Sequence, residues 1–114
     1  MLKKIKKNIS DHDGLYRRIH HSWVDKDRVT SAAFSHERMS VNWARFSTPQ
    51  KSITAKKDYI VVAEIKTVHA RTKGLKVMHD PECTNYSHSL VIGKKTQSIR
   101  RYLAKNCKPV LWRK

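Results

Sequence analysis

Glycine and proline are scarce, three of each in 114 residues. Long flexible linkers are thereby excluded, and one domain with a modest core is the expectation. Cysteine is scarcer still: Cys83 and Cys107 cannot make the disulfide framework of a small secreted scaffold. No apolar run approaches the roughly 20 residues of a membrane span; the longest, Tyr59 to Ala63, is strand-sized. The start, MLKKIKKNIS, is basic but has no apolar segment after it, so no secretory signal is read. A reduced, cytoplasmic chain without membrane attachment is expected.

Negative charge is the most telling shortage. Nine acids face 25 lysines and arginines, for a net charge of +16. Such a field attracts polyanions. DNA or RNA is the leading partner class, and an acidic protein is the alternative. The excess sits at the two ends: residues 1–10 hold four lysines and no acid, and residues 81–114 hold eight basic residues against Glu82 alone. Residues 1–10 read as a basic N-terminal arm, either loose or helical through Leu2, Ile5 and Ile9. Residues 11–114 read as a single domain.

What is present alternates. In LYRRIHHSWV, Leu15, Arg17 and Ile19 oppose Tyr16, Arg18 and His20, which predicts a strand. VTSAAFS and MSVNWARF read as short β-like runs, STPQKSITAKKD as a loop with at most one helical turn, and YIVVAEIKTVHA as the clearest strand. RTKG reads as a turn, LKVMH as a strand, and DPECTNYS as a loop. HSLVIG is apolar enough for an interior strand. Thr96 suits a helix cap, and Ile99, Leu103 and Cys107 recur at helical spacing before Lys108-Pro109 ends the helix. The fold expected is α+β: a curved or barrel-like, mostly antiparallel sheet with one C-terminal helix.

Gly93-Lys94-Lys95-Thr96 invites comparison with a phosphate-gripping loop. That loop needs a glycine five residues before Gly93, where His88 stands, and a hydroxyl directly after the first lysine, where Lys95 stands; NTP hydrolysis is excluded. A strand-to-helix turn with two lysines, Arg100, Arg101 and Lys105 remains a plausible phosphate contact. Its alternative is a plain corner with solvated lysines. Tyr86, in a polar loop, is the best candidate for an exposed aromatic that stacks a base.

Catalytic candidates are His88, His20 and Arg18, with Arg17 beside them. Arginines clamp phosphates and a histidine transfers protons near neutral pH, which suits a metal-independent RNA- or nucleotide-processing enzyme, a toxin or defence component. The alternative is a strand with solvent-facing polar residues. His79, Cys83, His88 and Cys107 do not match a zinc module's spacing, and no acidic cluster suits a two-metal nuclease. No metal and no cofactor is expected. Ser31, Ser87 and Ser89 lack a nucleophile-elbow glycine pattern.

Three stretches taken together, LYRRIHHSWV, VTSAAFS with MSV after it, and HSLVIGKK, resemble a family of small bacterial proteins with no established activity. Its pattern is Arg-Arg-[Ile/Val]-x-x-x-Trp, then Ser-Ser-x-Ala-Phe, then His-[Ala/Ser]-Leu-Val-x-Gly-Lys-Lys. The resemblance spans most of residues 15–105 and singles out Arg17, Arg18, Trp23, Ser31, Phe34, Ser40, His88, Gly93, Lys94 and Lys95. The chain departs from it at Thr30, where the pattern has serine, and at His20, where proline is common. The resemblance implies a bacterial or phage origin and supplies no mechanism. It does suggest one grouping: Arg17 or Arg18, Ser31 and His88 either converge on one pocket that binds a specific ligand, or each satisfies local backbone groups.

Overall fold

Alternation in the first strand fixes the frame. The computed structural model describes residues 5–53 and 56–113. Strand β1 (Gly14–His20) buries Leu15, Arg17 and Ile19 and turns Tyr16, Arg18 and His20 to the opposite face. The 3-10 turn His21–Trp23 follows. Then β2 (Val24–Asp25) and β3 (Arg28–Val29) form a hairpin. Its two-residue turn, Lys26 and Asp27, has positive φ at both positions, the geometry that matches strand twist.

Strand β4 (Arg38–Trp43) leads through the 3-10 turn Ala44–Phe46 to α1 (Pro49–Ser52), a single helical turn capped by Thr48. Strand β5 (Tyr59–Lys66), helix α2 (Thr67–Thr72), strands β6 (Lys76–His79) and β7 (His88–Ile92), helix α3 (Gln97–Asn106) and strand β8 (Lys108–Trp112) complete the chain. The main sheet has the order β6-β7-β4-β1-β5-β8, and every pairing is antiparallel. The chain is therefore α+β, as expected, but its sheet is open and not closed into a barrel. β7 is interior, paired on both sides. Among the described residues no helix is long and apolar enough to cross a membrane.

One face of the sheet carries the core. Leu15, Ile19, Met39, Trp43, Val61, Ile65 and Val91 pack there with Phe34, Ala70 and Leu103. Leu103 is the fully buried residue of α3, and the Thr96 hydroxyl accepts from Ile99 N, so the cap and the helical spacing stand as read. The other face is partly covered by α1, where Asn42 Nδ2 donates to Ser52 Oγ.

Two segments differ from expectation. Ser31–Phe34 is a 3-10 helix and not a β-like run, with Ala33 and Phe34 fully buried. The turned backbone frees the Ala33 carbonyl, and buried Arg17 takes it. The end of YIVVAEIKTVHA and the start of RTKG form α2. Its first free N–H groups, Thr67 and Val68, are satisfied by the carbonyls of Asp13 and Asp11, partners remote in sequence. Its end is a Schellman motif, with Gly74 N donating to Arg71 O, Leu75 N donating to Ala70 O, and Gly74 at φ +81°.

Residues 5–10 contain no helix. Ile9 enters the core, Lys7 N donates to His79 Nδ1, and the Tyr86 hydroxyl donates to Ile5 O. Met1, Leu2, Lys3 and Lys4, the remainder of the arm, lie outside the described residues.

Candidate nucleic-acid interface

The site begins where two strands part. β1 runs beside β5 over its whole length, but it pairs with β4 only at Leu15–Trp43 and Tyr16–Asn42. Beyond that point the sheet forks. A fork strands backbone acceptors, and buried acceptors need donors. Arg17 supplies them from the core side: Nε donates to Ala33 O at 3.2 Å, Nη1 to Ser40 O at 3.0 Å and Nη2 to His36 Nδ1 at 3.1 Å. Burial pulls the guanidinium down to about 10, with Tyr59 opposing and Arg18 adding to the shift. It stays charged at neutral pH.

The fork opens as a cleft of about 220 Å³ lined by Arg17, Arg18, Trp23, His36, Arg38, Ser40 and Tyr59. No carboxylate is among these residues. Arg18 and Arg38 are exposed, so their charges are available. Arg17 lies 5.3 Å from the Trp23 ring centroid and Arg18 5.7 Å from that of Tyr59, alternating cation with aromatic surface. A second, much narrower hollow on the sheet face shares Arg18 and Ser40 with the cleft.

His88 approaches the same serine from β7. It sits diagonally across the β4–β7 pair, in which Asn42 faces His88 and Ser40 faces Leu90. His88 Nε2 lies 3.3 Å from Ser40 Oγ. Its Nδ1 lies 2.9 Å from Asp80 O and 3.2 Å from Asp80 Oδ2, with Glu82 Oε2 at 3.9 Å. A carbonyl only accepts, so Nδ1 carries a proton, and in the neutral ring Nε2 is the nitrogen that accepts from the serine hydroxyl.

Of the residues singled out in the sequence, Arg17, Arg18, Ser40 and His88 are brought together. Ser31 is not the serine that meets His88. It begins the short helix whose Ala33 carbonyl holds Arg17. His20 lies farther along β1, where its Nδ1 accepts from Ser22 N and meets the Ser22 hydroxyl. It meets the cleft through the rings of Tyr59 and Trp23 and does not line it. His20, His21 and Asp58 place ligand-type atoms within 4.8 Å of one another. That group was not foreseen, and the Ser22 amide already occupies one His20 nitrogen.

The Gly93–Thr96 turn borders the cleft without lining it. Lys95 points inward, and its ammonium donates to the carbonyls of Glu37, Val91 and Gly93 at 3.0–3.1 Å. Burial, and then Arg17, push it down to about 8, with Glu37 opposing. Lys95 thus braces the segment that carries Arg38. Gly93 sits at φ +140°, a backbone conformation that favours glycine, and a Cβ there would come within 2.9 Å of the Leu75 Cδ2 methyl. Lys94, Arg101 and Lys105 are exposed, and Arg100 is half-buried; none of them lines the cleft. Tyr86 is 36% exposed, but its ring packs edge-on against Phe46 and His79 and its hydroxyl is spent on Ile5. His79 is buried with both nitrogens engaged, by Lys7 N and by Tyr86 O. Cys107 donates to Ala104 O, and burial pushes its thiol up to about 11.

The residues that reading by sequence missed are Arg38, His36 and Asp80. Only Asp80 carried a signal, as an acid eight positions before His88 at the far end of the same loop. Comparison with protein-family models, with curated proteins and with solved structures finds no match. The functional reading therefore rests on the geometry alone.

Proposed function

We propose that the chain binds single-stranded nucleic acid in the fork between β1 and β4. One observation carries this reading: Arg18 and Arg38 converge on an acid-free cleft that also presents the rings of Trp23 and Tyr59. Guanidinium groups recognise phosphate by paired hydrogen bonds. Aromatic surface beside them accepts a base with little regard to its identity. A net charge of +16 supplies long-range attraction, and exposed Lys94, Arg101 and Lys105 add contacts of the same non-specific kind.

Fluorescence anisotropy with labelled single-stranded RNA and DNA, titrated at several salt concentrations, tests the assignment. The double variant R18A/R38A is expected to weaken binding at least tenfold. The double variant R101A/K105A, which removes the same charge from α3, is expected to weaken it less. Equal losses in the two would relocate the contact away from the cleft.

A further inference from the structure

The hydrogen-bond order Ser40–His88–Asp80 is not needed for binding. Its parts stand as a nucleophile, a base and an orienting group stand in covalent catalysis: a hydroxyl within reach of one ring nitrogen, and the second ring nitrogen fixed by an acceptor. Ser40 is half-buried and lines both the fork cleft and the narrower hollow beside it. Ser40 therefore borders the space in which Arg18 and Arg38 would hold an anion. His88 is 14% exposed at its side chain, shielded enough to keep its ring in one orientation. Separation of 3.3 Å is loose for a resting hydroxyl–imidazole pair, and such pairs tighten when substrate is bound.

We propose that Ser40 is a nucleophile for phosphoester transfer, with His88 as its base and the arginines of the cleft as the seat of the phosphoester. The inference rests on the phosphate reading of that cleft. Ser40 Oγ attacks phosphorus while its proton passes to His88 Nε2. The Oγ–P bond forms, the bond from phosphorus to the leaving oxygen breaks, and His88 returns the proton to that oxygen. Water then attacks the phosphoserine, giving its proton through His88 to Oγ as the P–Oγ bond breaks. One water is consumed, one phosphoester is cleaved, and nothing is oxidised or reduced. Asp80 acts through the ring alone and is a positioning residue. Arg18 and Arg38 bear on the charge that builds on the non-bridging oxygens.

Bis(p-nitrophenyl) phosphate is the probe, read by nitrophenolate release and by the intact mass of acid-quenched protein. Wild-type protein is expected to release nitrophenolate and to carry an aryl phosphate on the peptide containing Ser40. S40A is expected to lose the adduct and at least a hundredfold in rate. Among the described residues the Ser40 side chain bonds only to His88, and circular dichroism checks that S40A is folded. H88A is expected to fall about as far as S40A, and D80N to lower kcat with KM unchanged. Oligonucleotide binding by wild type with no release and no adduct would overturn the catalytic assignment and leave the binding reading intact. Release that persists in S40A would overturn it as well. Release and adduct without oligonucleotide binding would uphold Ser40 and overturn the nucleic-acid reading.

Discussion

Arg17 Nη1 donates to the carbonyl of Ser40 at 3.0 Å, across two strands that have already separated. A side chain thus replaces the backbone ladder at the point where the sheet forks, and it holds open the space next to Ser40. R17M is expected to destabilise the fold by about 2–4 kcal/mol, because it leaves the buried carbonyls of Ala33 and Ser40 without donors. R17K is expected to recover little, since an ammonium cannot reproduce the guanidinium's spread of donors. Urea denaturation of both variants measures the difference.

Lys95 predicts a pH dependence. Its ammonium is held at about 8 in the fold against an ordinary 10.5, so between those values the unfolded chain binds more protons than the folded one. Stability then rises with pH through that window as the lysine's burial penalty disappears. The urea midpoint of wild type measured from pH 7.5 to 10.5 is expected to rise relative to that of K95M, which has nothing to titrate at this position. A relative fall across the same range would contradict the assignment.

Gly74 isolates a backbone effect. A Cβ added there meets nothing within 4 Å, and the residue sits at φ +81°. G74A is expected to cost about 1–2 kcal/mol through the left-handed conformation alone. Thermal unfolding of G74A measures this, and G74N is expected to lose less because asparagine tolerates that region.

His79 ties the N-terminal segment to the sheet. H79F preserves a ring against Trp43 and Phe46 but removes the acceptor for Lys7 N. Faster hydrogen exchange at Lys7, with protection retained at the β5 amides, is the expected result. Unchanged exchange at Lys7 would show that Ile9 burial and the Tyr86–Ile5 bond fix the segment without His79.

Much of this fold was legible in simple periodicity. The i, i+4 recurrence of Ile99 and Leu103 and the alternation of Val61, Ala63 and Ile65 placed α3 and β5 because each was decided by one local face. The same alternation put Arg17 in line with Leu15 and Ile19, the apolar set, so its burial was readable even though an arginine suggested solvent or phosphate. Lys95 gave no such sign, since its three carbonyl partners come from Glu37, Val91 and Gly93 and depend on how β4 and β7 are registered. Ser31–Phe34 was misread because β-like neighbours outweighed a turn whose reason, a carbonyl for Arg17, is tertiary. The candidate site was legible only in pieces. Arg18 and His88 stood out by chemistry and Ser40 by resemblance; Asp80 carried only its spacing from His88 across one loop, and Arg38 joins them through sheet register that no local pattern encodes.

The salt dependence of oligonucleotide binding tests the central claim most directly. Each phosphate contact to a single strand contributes about 0.7 to the slope of log affinity against log salt. If Arg18 and Arg38 each hold a phosphate, the slope of R18A/R38A is expected to be shallower than that of wild type by about 1.4. A slope unchanged in the double variant would place the phosphates elsewhere and contradict the account.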